Sequence, residues 1–458
     1  MSANRTITVV LCVAVLVLAG CPSQTKIDSG SPNGGEAVDT AGGSTGSPTA
    51  STVQDESFAI GSEQREMNPA VSEEELSQLV SGNTQFAFEL YRWLIQSNDN
   101  LIISPYSIST ALAMTYAGAS GQTKTDMANV LHFTLPDDKL HAAFNKIDLT
   151  LNALGNKPAG EEGQPLKLSV ANSLWVQKDI PLNPPFLDVV TLNYGAGVGQ
   201  VDFWGDPGGA AKTVNDWISG KTGGKIKDAL DPGSLNPGET MLLLVDAIYF
   251  LANWELQFDK EATTDGPFHL LAGRDVTVPM MTKTDQFRYF KGDGFAAASL
   301  GYVGGDTSMV IMLPDEGEFE EFEGKLDGAL VSNVLGNLEM KSVDLTMPKF
   351  KYESSLVLAK TLRPMGMESA FQGGFDNMFV GPLGESPFID EVIHKAFVAV
   401  DEAGTEAAAV TIVEIRVLAA PFEPEQPIEF RVDRPFVFLI VEESTKSVLF
   451  IGRVLDPS

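Results

Sequence analysis

Residues 402 to 418 of the chain read Glu-Ala-Gly-Thr-Glu-Ala-Ala-Ala-Val-Thr-Ile-Val-Glu-Ile-Arg-Val-Leu. From Thr405 onward every odd position is uncharged, whereas Glu406, Glu414 and Arg416 all fall on even positions. Because successive side chains of a strand point to opposite faces, this alternation predicts a strand with one buried face. The alanines at 407–409 are unusual in such a strand, since alanine accepts helix or loop equally well.

The residues that follow this stretch change its interpretation. Residues 419 to 427 read Ala-Ala-Pro-Phe-Glu-Pro-Glu-Gln-Pro, and prolines lack the N–H that a sheet interior requires. The alternation alone fits an ordinary strand after a glycine turn equally well. A strand-forming stretch that runs straight into an exposed, cleavable loop is instead typical of a strand that forms only conditionally.

The chain from residue 71 onward predicts one α+β domain, 71–458. Apolar residues between Leu76 and Leu94 fall largely at helical spacing, and Pro105 opens a second helix. The clearest predicted strands are 168–176, 241–251, 308–313, 343–347, 396–401 and 436–442. Helices and long strands occur without a regular βαβ alternation or an internal repeat, which favours a single α+β domain.

Residues 1 to 20 have the pattern of a bacterial lipoprotein signal peptide. An uncharged apolar run from Ile7 to Leu18, about 12 residues long, is too short to span a membrane. The tetrapeptide Leu-Ala-Gly-Cys that ends at Cys21 resembles a lipobox, in which the cysteine is lipidated. An ordinary secretory signal with a chance cysteine is the alternative. We expect a secreted protein anchored to a membrane through Cys21, at the cell surface, the outer membrane or in the periplasm.

Residues 21 to 70 are rich in Ser, Gly, Thr, Pro and acidic residues, with Phe58 as their only aromatic residue. Such a segment has too little apolar surface to form a core, so we predict a flexible tether over 21–70. The other cysteine, Cys12, lies in the segment that would be removed. The mature protein is therefore expected to have no disulfide.

Composition and motifs argue against several classes of function. The formal net charge is −30, whereas nucleic-acid binding needs a positive surface. The histidines at positions 132, 141, 269 and 394 form no H-E-x-x-H motif, and no P-loop is present. We therefore expect no catalytic residue, no metal site and no cofactor, and the sequence does not predict an enzyme.

Several separated motifs resemble those of the serpin family of protease inhibitors. They are Asn100–Ser109, Ile226–Asp228, Ala247–Phe250 with Trp254, Pro348–Phe350, Glu402–Ala409, Phe430–Leu439 and Gly452–Val454. The resemblance runs in collinear order from Leu76 to Pro457. Chance similarity does not account for so many motifs in the right order.

The resemblance implies a serpin fold with three β-sheets, about nine helices, an exposed reactive-centre loop and a metastable native state. In an inhibitory serpin, a serine protease, less often a cysteine protease, cuts this loop and becomes covalently attached. The freed loop then inserts into the main sheet as an added strand and releases stored strain. The expected partner is a chymotrypsin- or elastase-like serine protease, and the inhibitor is expected to be a monomer.

The resemblance also assigns roles to individual residues. The hinge of the loop comprises Glu402, Gly404, Thr405, Glu406, Ala407, Ala408 and Ala409. The breach, where insertion begins, comprises Trp254, Lys349 and Glu402. The shutter, a buried polar cluster beneath the middle of the main sheet, comprises Ser104, Ser107, Asp246 and His394. Family spacing places the reactive bond between Leu418 and Ala419, with Arg416 as the rival.

Two functions are compatible with this fold. An inhibitory serpin needs small hinge residues that can enter a sheet, whereas a non-inhibitory serpin, acting as a binding or structural module, tends to carry bulky or charged residues or proline there. Residues 404–409 contain only one such residue, Glu406, at an outward-facing position. The hinge therefore favours suicide inhibition. Two departures from the family pattern are Val410, larger than the usual alanine, and Asp246, in place of the usual asparagine.

Overall fold

The computed structural model of the chain describes residues 58–155, 166–381, 383, 386–405 and 426–458. Within these residues the chain forms nine α-helices: Glu73–Leu94 (α1), Pro105–Tyr116 (α2), Gly121–Val130 (α3), Asp137–Gly155 (α4), Pro184–Tyr194 (α5), Pro207–Lys221 (α6), Phe319–Lys325 (α7), Gly328–Asn337 (α8) and Ala359–Leu362 (α9). Helix α1 begins at a capping box, in which Ser72 and Glu75 each accept the other's backbone N–H. Helices α2, α5 and α6 begin at a proline, whose missing N–H costs nothing at that position.

The same residues form sixteen β-strands. They are Phe58–Ala59 (β1), Leu101–Ile103 (β2), Lys167–Gln177 (β3), Val198–Val201 (β4), Leu242–Asn253 (β5), Thr264–His269 (β6), Asp275–Lys291 (β7), Phe295–Gly301 (β8), Thr307–Pro314 (β9), Glu339–Pro348 (β10), Phe350–Val357 (β11), Glu391–Val400 (β12), Gly404–Thr405 (β13), Ile428–Arg431 (β14), Phe436–Glu442 (β15) and Val448–Val454 (β16). Helices and mostly antiparallel strands share one core, so the α+β class predicted from the sequence is confirmed.

Seven strands form what we call the main sheet, in the order β1-β4-β3-β5-β13-β12-β11. Its central strand, β5, is buried along almost its whole length because both faces of the sheet are covered. Leu243, Val245 and Ala247 of β5 pack with α6 in a smaller apolar cluster. Other apolar residues of β5, such as Leu244 and Ile248, belong to the main core, which contains α2. Strands β5 and β12 run parallel and are directly paired over residues 243–249 and 391–397.

The other strands form a second sheet in the order β14-β10-β7-β8-β9-β15-β16-β2, with β6 added to the side of β7. The resemblance implied three sheets, whereas the described strands make two hydrogen-bonded sheets. The difference arises because β7 is 17 residues long. Its first part pairs with β6 and its last part with β8, so it joins two groups of strands that would otherwise count separately.

Residues 58 to 70, which we call the N-terminal strap, lie against the domain. Strand β1 pairs with β4, and Phe58 packs edge to face on Trp175 with ring centroids 4.9 Å apart. Arg65 donates to Asn145 Oδ1 at 3.0 Å and pairs with Asp148. The predicted tether, 21–70, is therefore too long at its C-terminal end. Composition could not show that one aromatic residue and one arginine find partners on the domain.

Candidate functional site

Strand β13 lies between β5 and β12, at the C-terminal ends of both strands. Gly404 is opposite Asn253 and Thr405 is opposite Ala252 on β5, while Val400 of β12 is also opposite Thr405. Nearer their N-terminal ends, β5 and β12 pair directly with each other. The first hinge residues therefore already form a short strand inside the main sheet, and no described strand separates β5 from β12 over the rest of their length.

The backbone at Gly404 requires a glycine. Its φ of 155° lies in a region that other residues rarely adopt. A Cβ atom at this position would lie 2.1 Å from the carbonyl oxygen of Ala252 and 2.6 Å from the Cα of Asn253. The hinge can lie this close to β5 only because no side chain is present.

The breach residues are brought together beside the hinge. Lys349 Nζ lies 2.9 Å from a carboxylate oxygen of Glu402, whose side chain is almost fully buried. Thr263 donates a hydroxyl hydrogen bond to the same carboxylate at 2.8 Å. Burial works to raise the pKa of Glu402, but the hydrogen bonds from Lys349, the backbone and Thr263 outweigh it and hold the pKa below its ordinary value.

Trp254 holds the turn that precedes the hinge strand. Its indole N–H donates to the carbonyl oxygen of Asp401 at 2.9 Å, and its backbone N–H donates to that of Ala403 at 2.9 Å. Its ring stacks on Tyr302 with centroids 4.6 Å apart and planes at 11°. The salt bridge and Trp254 thus hold the turn from Asp401 to Ala403 against the end of β5.

Tyr302 is a contact of the hinge that sequence reasoning missed. Its hydroxyl lies 2.7 Å from Thr405 Oγ1, and both side chains are buried. Burial raises the pKa of Tyr302 well above its ordinary value, although the hydrogen bond with Thr405 opposes the rise. The sequence around Tyr302 shows only an aromatic residue before a glycine pair, which does not identify a partner about a hundred residues away.

The four shutter residues also lie together, fully buried beneath the main sheet. The backbone N–H of Ser104 donates to His394 Nε2 at 3.1 Å, and Ser107 Oγ lies 2.7 Å from Asp246 Oδ1. His394 Nδ1 is 3.2 Å from Asp246 Oδ2 across the junction of β5 and β12. Asn172 on β3 completes the cluster and was missed, because a polar residue inside a predicted strand carries no signal of its partner.

Several predicted site residues lie outside the described residues. They are Cys21, Glu406, Ala407, Ala408, Ala409, Arg416, Leu418 and Ala419. Among the residues that the structure does describe, no group of His, Cys, Asp and Glu side chains is arranged to hold a metal ion. In the described ranges, no helix is both long and apolar enough to cross a membrane.

Comparisons with known proteins agree with this geometry. The family profile described as Serpin (serine protease inhibitor) matches residues 81–457. An uncharacterized serpin-like protein of Thermococcus kodakarensis is 39% identical over 83% of this chain and 86% of its own length. The leukocyte elastase inhibitor of Xenopus laevis is 37% identical over 83% of this chain and 100% of its own length. The crystal structure of human thyroxine-binding globulin complexed with thyroxine superposes with a TM-score of 0.73 and 29% identity, covering 84% of this chain and 100% of that chain.

Proposed function

Because this chain belongs to the serpin family, we propose that it inhibits a serine-type endopeptidase as a suicide substrate. Serpins are protease inhibitors rather than enzymes. The observation that carries the proposal is the position of β13, whose two residues already lie between β5 and β12. A loop that is to become a strand of the main sheet must enter at this point.

In the proposed reaction, the protease's catalytic serine hydroxyl attacks the carbonyl carbon of Leu418. An ester forms between the serine and Leu418, and the amino group of Ala419 leaves with the proton that the serine lost. The new chain end at Leu418 is then free to follow Gly404 and Thr405 into the sheet. The protease remains attached to that end while its ester is intact.

The dimensions of the sheet suit an inserted strand of this length. Residues 405 to 418 would extend about 46 Å at roughly 3.3 Å per residue. The flanking strand β5 has 12 residues, which corresponds to about 40 Å on the same basis. An inserted loop would therefore run the whole length of β5 and carry the protease past its far end.

The side-chain pattern agrees with the direction of insertion. Thr405 is buried against Tyr302, on the side that the sequence alternation assigns to odd positions. If the alternation continues, the charged residues Glu406, Glu414 and Arg416 all lie on the opposite face. Insertion would then bury no charge on the core side of the main sheet.

A chymotrypsin- or elastase-like protease is the proposed target, and a cysteine protease is a less favoured one. Leu418 suits an apolar specificity pocket, and Val417, Ala419 and Ala420 suit a smaller one. Leukocyte elastase inhibitors are among the relatives of this chain. Cleavage after Arg416 by a trypsin-like protease is the rival, but it would shorten the inserted strand by two residues.

We also propose that the mature protein is a secreted monomer held to a membrane by lipid on Cys21. The proposal rests on the lipobox-like sequence and on the composition of the residues that precede the strap. One acyl chain binds a membrane only marginally, whereas two or more give a stable anchor. A tether between the lipid and the domain would leave the reactive loop free to meet soluble proteases.

The proposal is tested by incubating the protein without its signal peptide with chymotrypsin-like, elastase-like and trypsin-like proteases. We expect a complex of the summed masses that survives boiling in detergent, and Ala419 as the N-terminus of the released peptide. A non-inhibitory serpin would give only cleaved chain and fully active protease. That second outcome would favour a binding function. Thyroxine-binding globulin, which has this fold and binds thyroxine, is an example of such a protein.

A further inference from the structure

Asp246 has an unusual set of hydrogen-bonding neighbours in the shutter. It lies on β5, directly opposite Asn172 of β3 and His394 of β12. Ser107 Oγ lies 2.7 Å from Asp246 Oδ1 and also 2.7 Å from Asn172 Oδ1. A serine hydroxyl has only one proton, so it can donate to only one of these two oxygens.

The orientation of Asn172 is fixed by a second contact. Its Nδ2 donates to the backbone carbonyl of Ser107 at 3.0 Å, so its Oδ1 must be the atom that faces Ser107 Oγ. If Asp246 were a carboxylate, one of the two 2.7 Å contacts would join two oxygens with no proton between them. The two contacts of Ser107 Oγ therefore require a second proton, which a carboxylate at Asp246 cannot supply.

His394 does not supply that proton as a cation. Its Nε2 accepts the backbone N–H of Ser104, so this nitrogen carries no proton and the imidazole is neutral. Its Nδ1 is 3.2 Å from Asp246 Oδ2, but the N–H is poorly directed and neither atom has a hydrogen-bonding partner among the described residues. An ionised Asp246 would be a fully buried charge with one oxygen unsatisfied.

The described elements packed around Asp246 place no other cation beside it. Strand β3 has one charged residue, the exposed Lys167, which lies opposite Leu251, five positions from Asp246. Helix α2 has no charged residue, and β5 has none besides Asp246. On β12 the next residue, Lys395, donates instead to the backbone carbonyls of Lys227 and Asp228. The titratable group that faces Asp246 is thus His394, in its neutral form.

We infer that Asp246 is a neutral carboxylic acid that holds a proton while the main sheet is closed. Its Oδ1–H donates to Ser107 Oγ, and Ser107 donates to Asn172 Oδ1, so each proton has one acceptor. An asparagine at 246 would make the same donation through Nδ2. Unlike an amide donor at this position, the donor of the acid can dissociate.

The consequence for loop insertion rests on the proposed function. The loop must pass between β5 and β12, which separates Asp246 from His394 and lets water reach the acid. If Asp246 gives up this proton when the sheet opens, the closed sheet binds one proton more than the open sheet. Low pH then favours the closed sheet, and rising pH shifts the equilibrium toward the open sheet. A difference of one bound proton changes the equilibrium by up to about tenfold per pH unit. Asp246 is a positioning residue for this opening.

Infrared difference spectroscopy between the wild type and Asp246→Asn tests the protonation directly. We expect a protonated-carboxyl C=O band in the wild type at neutral pH that shifts in D₂O and is missing from Asp246→Asn. The exposed carboxylate of Asp265 provides the control, since Asp265→Asn should retain the band. A wild-type spectrum without the band, or a band that survives in Asp246→Asn, would overturn the inference.

The coupling to sheet opening is tested by the uptake of a fluorescent peptide with the sequence of residues 405–418. We expect the uptake rate of the wild type to rise with pH relative to that of Asp246→Asn, over the range in which the infrared band disappears. Equal pH profiles would overturn the coupling. Absence of uptake in both proteins at every pH would count against the proposed function, while the infrared result would still decide the state of Asp246.

Discussion

Replacing Gly404 with alanine is expected to expel the hinge strand from the main sheet. The φ of 155° at Gly404 is almost restricted to glycine and costs another residue about 1–3 kcal/mol. The added Cβ would lie 2.1 Å from the carbonyl oxygen of Ala252, and such overpacking costs about 1–3 kcal/mol more. The atoms that it meets belong to the backbone of β5, which cannot rotate away as a side chain could.

This strain is comparable to what holds β13 in place. The strand has a few ladder hydrogen bonds and the contact between Thr405 and Tyr302, each contributing about 1 kcal/mol. If insertion passes through the same conformation at Gly404, even the lower end of this strain, about 2 kcal/mol, slows it by about 30-fold. Slower insertion gives the attached protease time to hydrolyse its ester and escape.

The assay is the stoichiometry of inhibition, measured as moles of inhibitor consumed for each mole of protease inactivated. We expect Gly404→Ala to raise it severalfold and to accumulate cleaved, unattached inhibitor. Gly220→Ala is the matched control, because a Cβ at Gly220 meets no atom within 4 Å. An unchanged stoichiometry for Gly404→Ala would refute the reasoning that insertion starts from β13.

Three further predictions concern the hinge, the anchor and the acid stability of the domain. Thr405→Arg places a charge on the buried face beside Tyr302 and should give cleavage without complex on a denaturing gel, whereas Glu406→Arg, at an outward position, should still form complex. Cys21→Ser should release the protein from the membrane fraction or leave it uncleaved, and unchanged retention would contradict the lipid anchor. Burial lowers the pKa of His141 from 6.5 to about 4. Its contribution to stability is therefore complete above pH 6.5, and up to roughly 3 kcal/mol is lost as pH falls toward 4. His141→Gln should flatten this part of a plot of urea midpoint against pH, and an unchanged slope would exclude His141 as its cause.

The sequence predicted the parts of the fold whose apolar pattern is regular. Strands β3, β5, β9 and β15 agree with the predicted ranges to within two residues at each end. Strand β12 was predicted as 396–401 but begins at Glu391, because Glu391, His394 and Lys395 interrupt the apolar run. His394 is nevertheless buried, since Ser104, the residue just before α2, donates its backbone N–H to His394 Nε2.

The resemblance to serpins, and not the hydrophobic pattern of the sequence, predicted which of the described residues form the site. The structure places Trp254, Lys349 and Glu402 around the hinge and gathers the shutter residues beneath the sheet. Tyr302 and Asn172 could not be predicted in the same way. Each makes its contact through a partner distant in sequence, and neither stands out in its own strand or turn.

The N-terminal strap was missed for a different reason. Its composition is that of a tether, yet Phe58 reaches the aromatic pair Trp175 and Trp217 on the domain. A single anchor of this kind depends on a surface built by β3 and α6, which no local window of sequence describes. Composition therefore could not identify the residues of the strap that pack on the domain.

The melting temperature before and after a single cut in the reactive loop tests loop insertion most directly. The protein without its signal peptide would be nicked between Arg416 and Ala420, freed of protease and heated beside the intact protein and beside nicked Thr405→Arg. If the cut loop becomes a full strand between β5 and β12, the nicked wild type should melt tens of degrees above the intact protein, and nicked Thr405→Arg should gain much less. Equal melting temperatures for the intact and nicked wild type would mean that the loop does not insert, and would contradict inhibition by this mechanism.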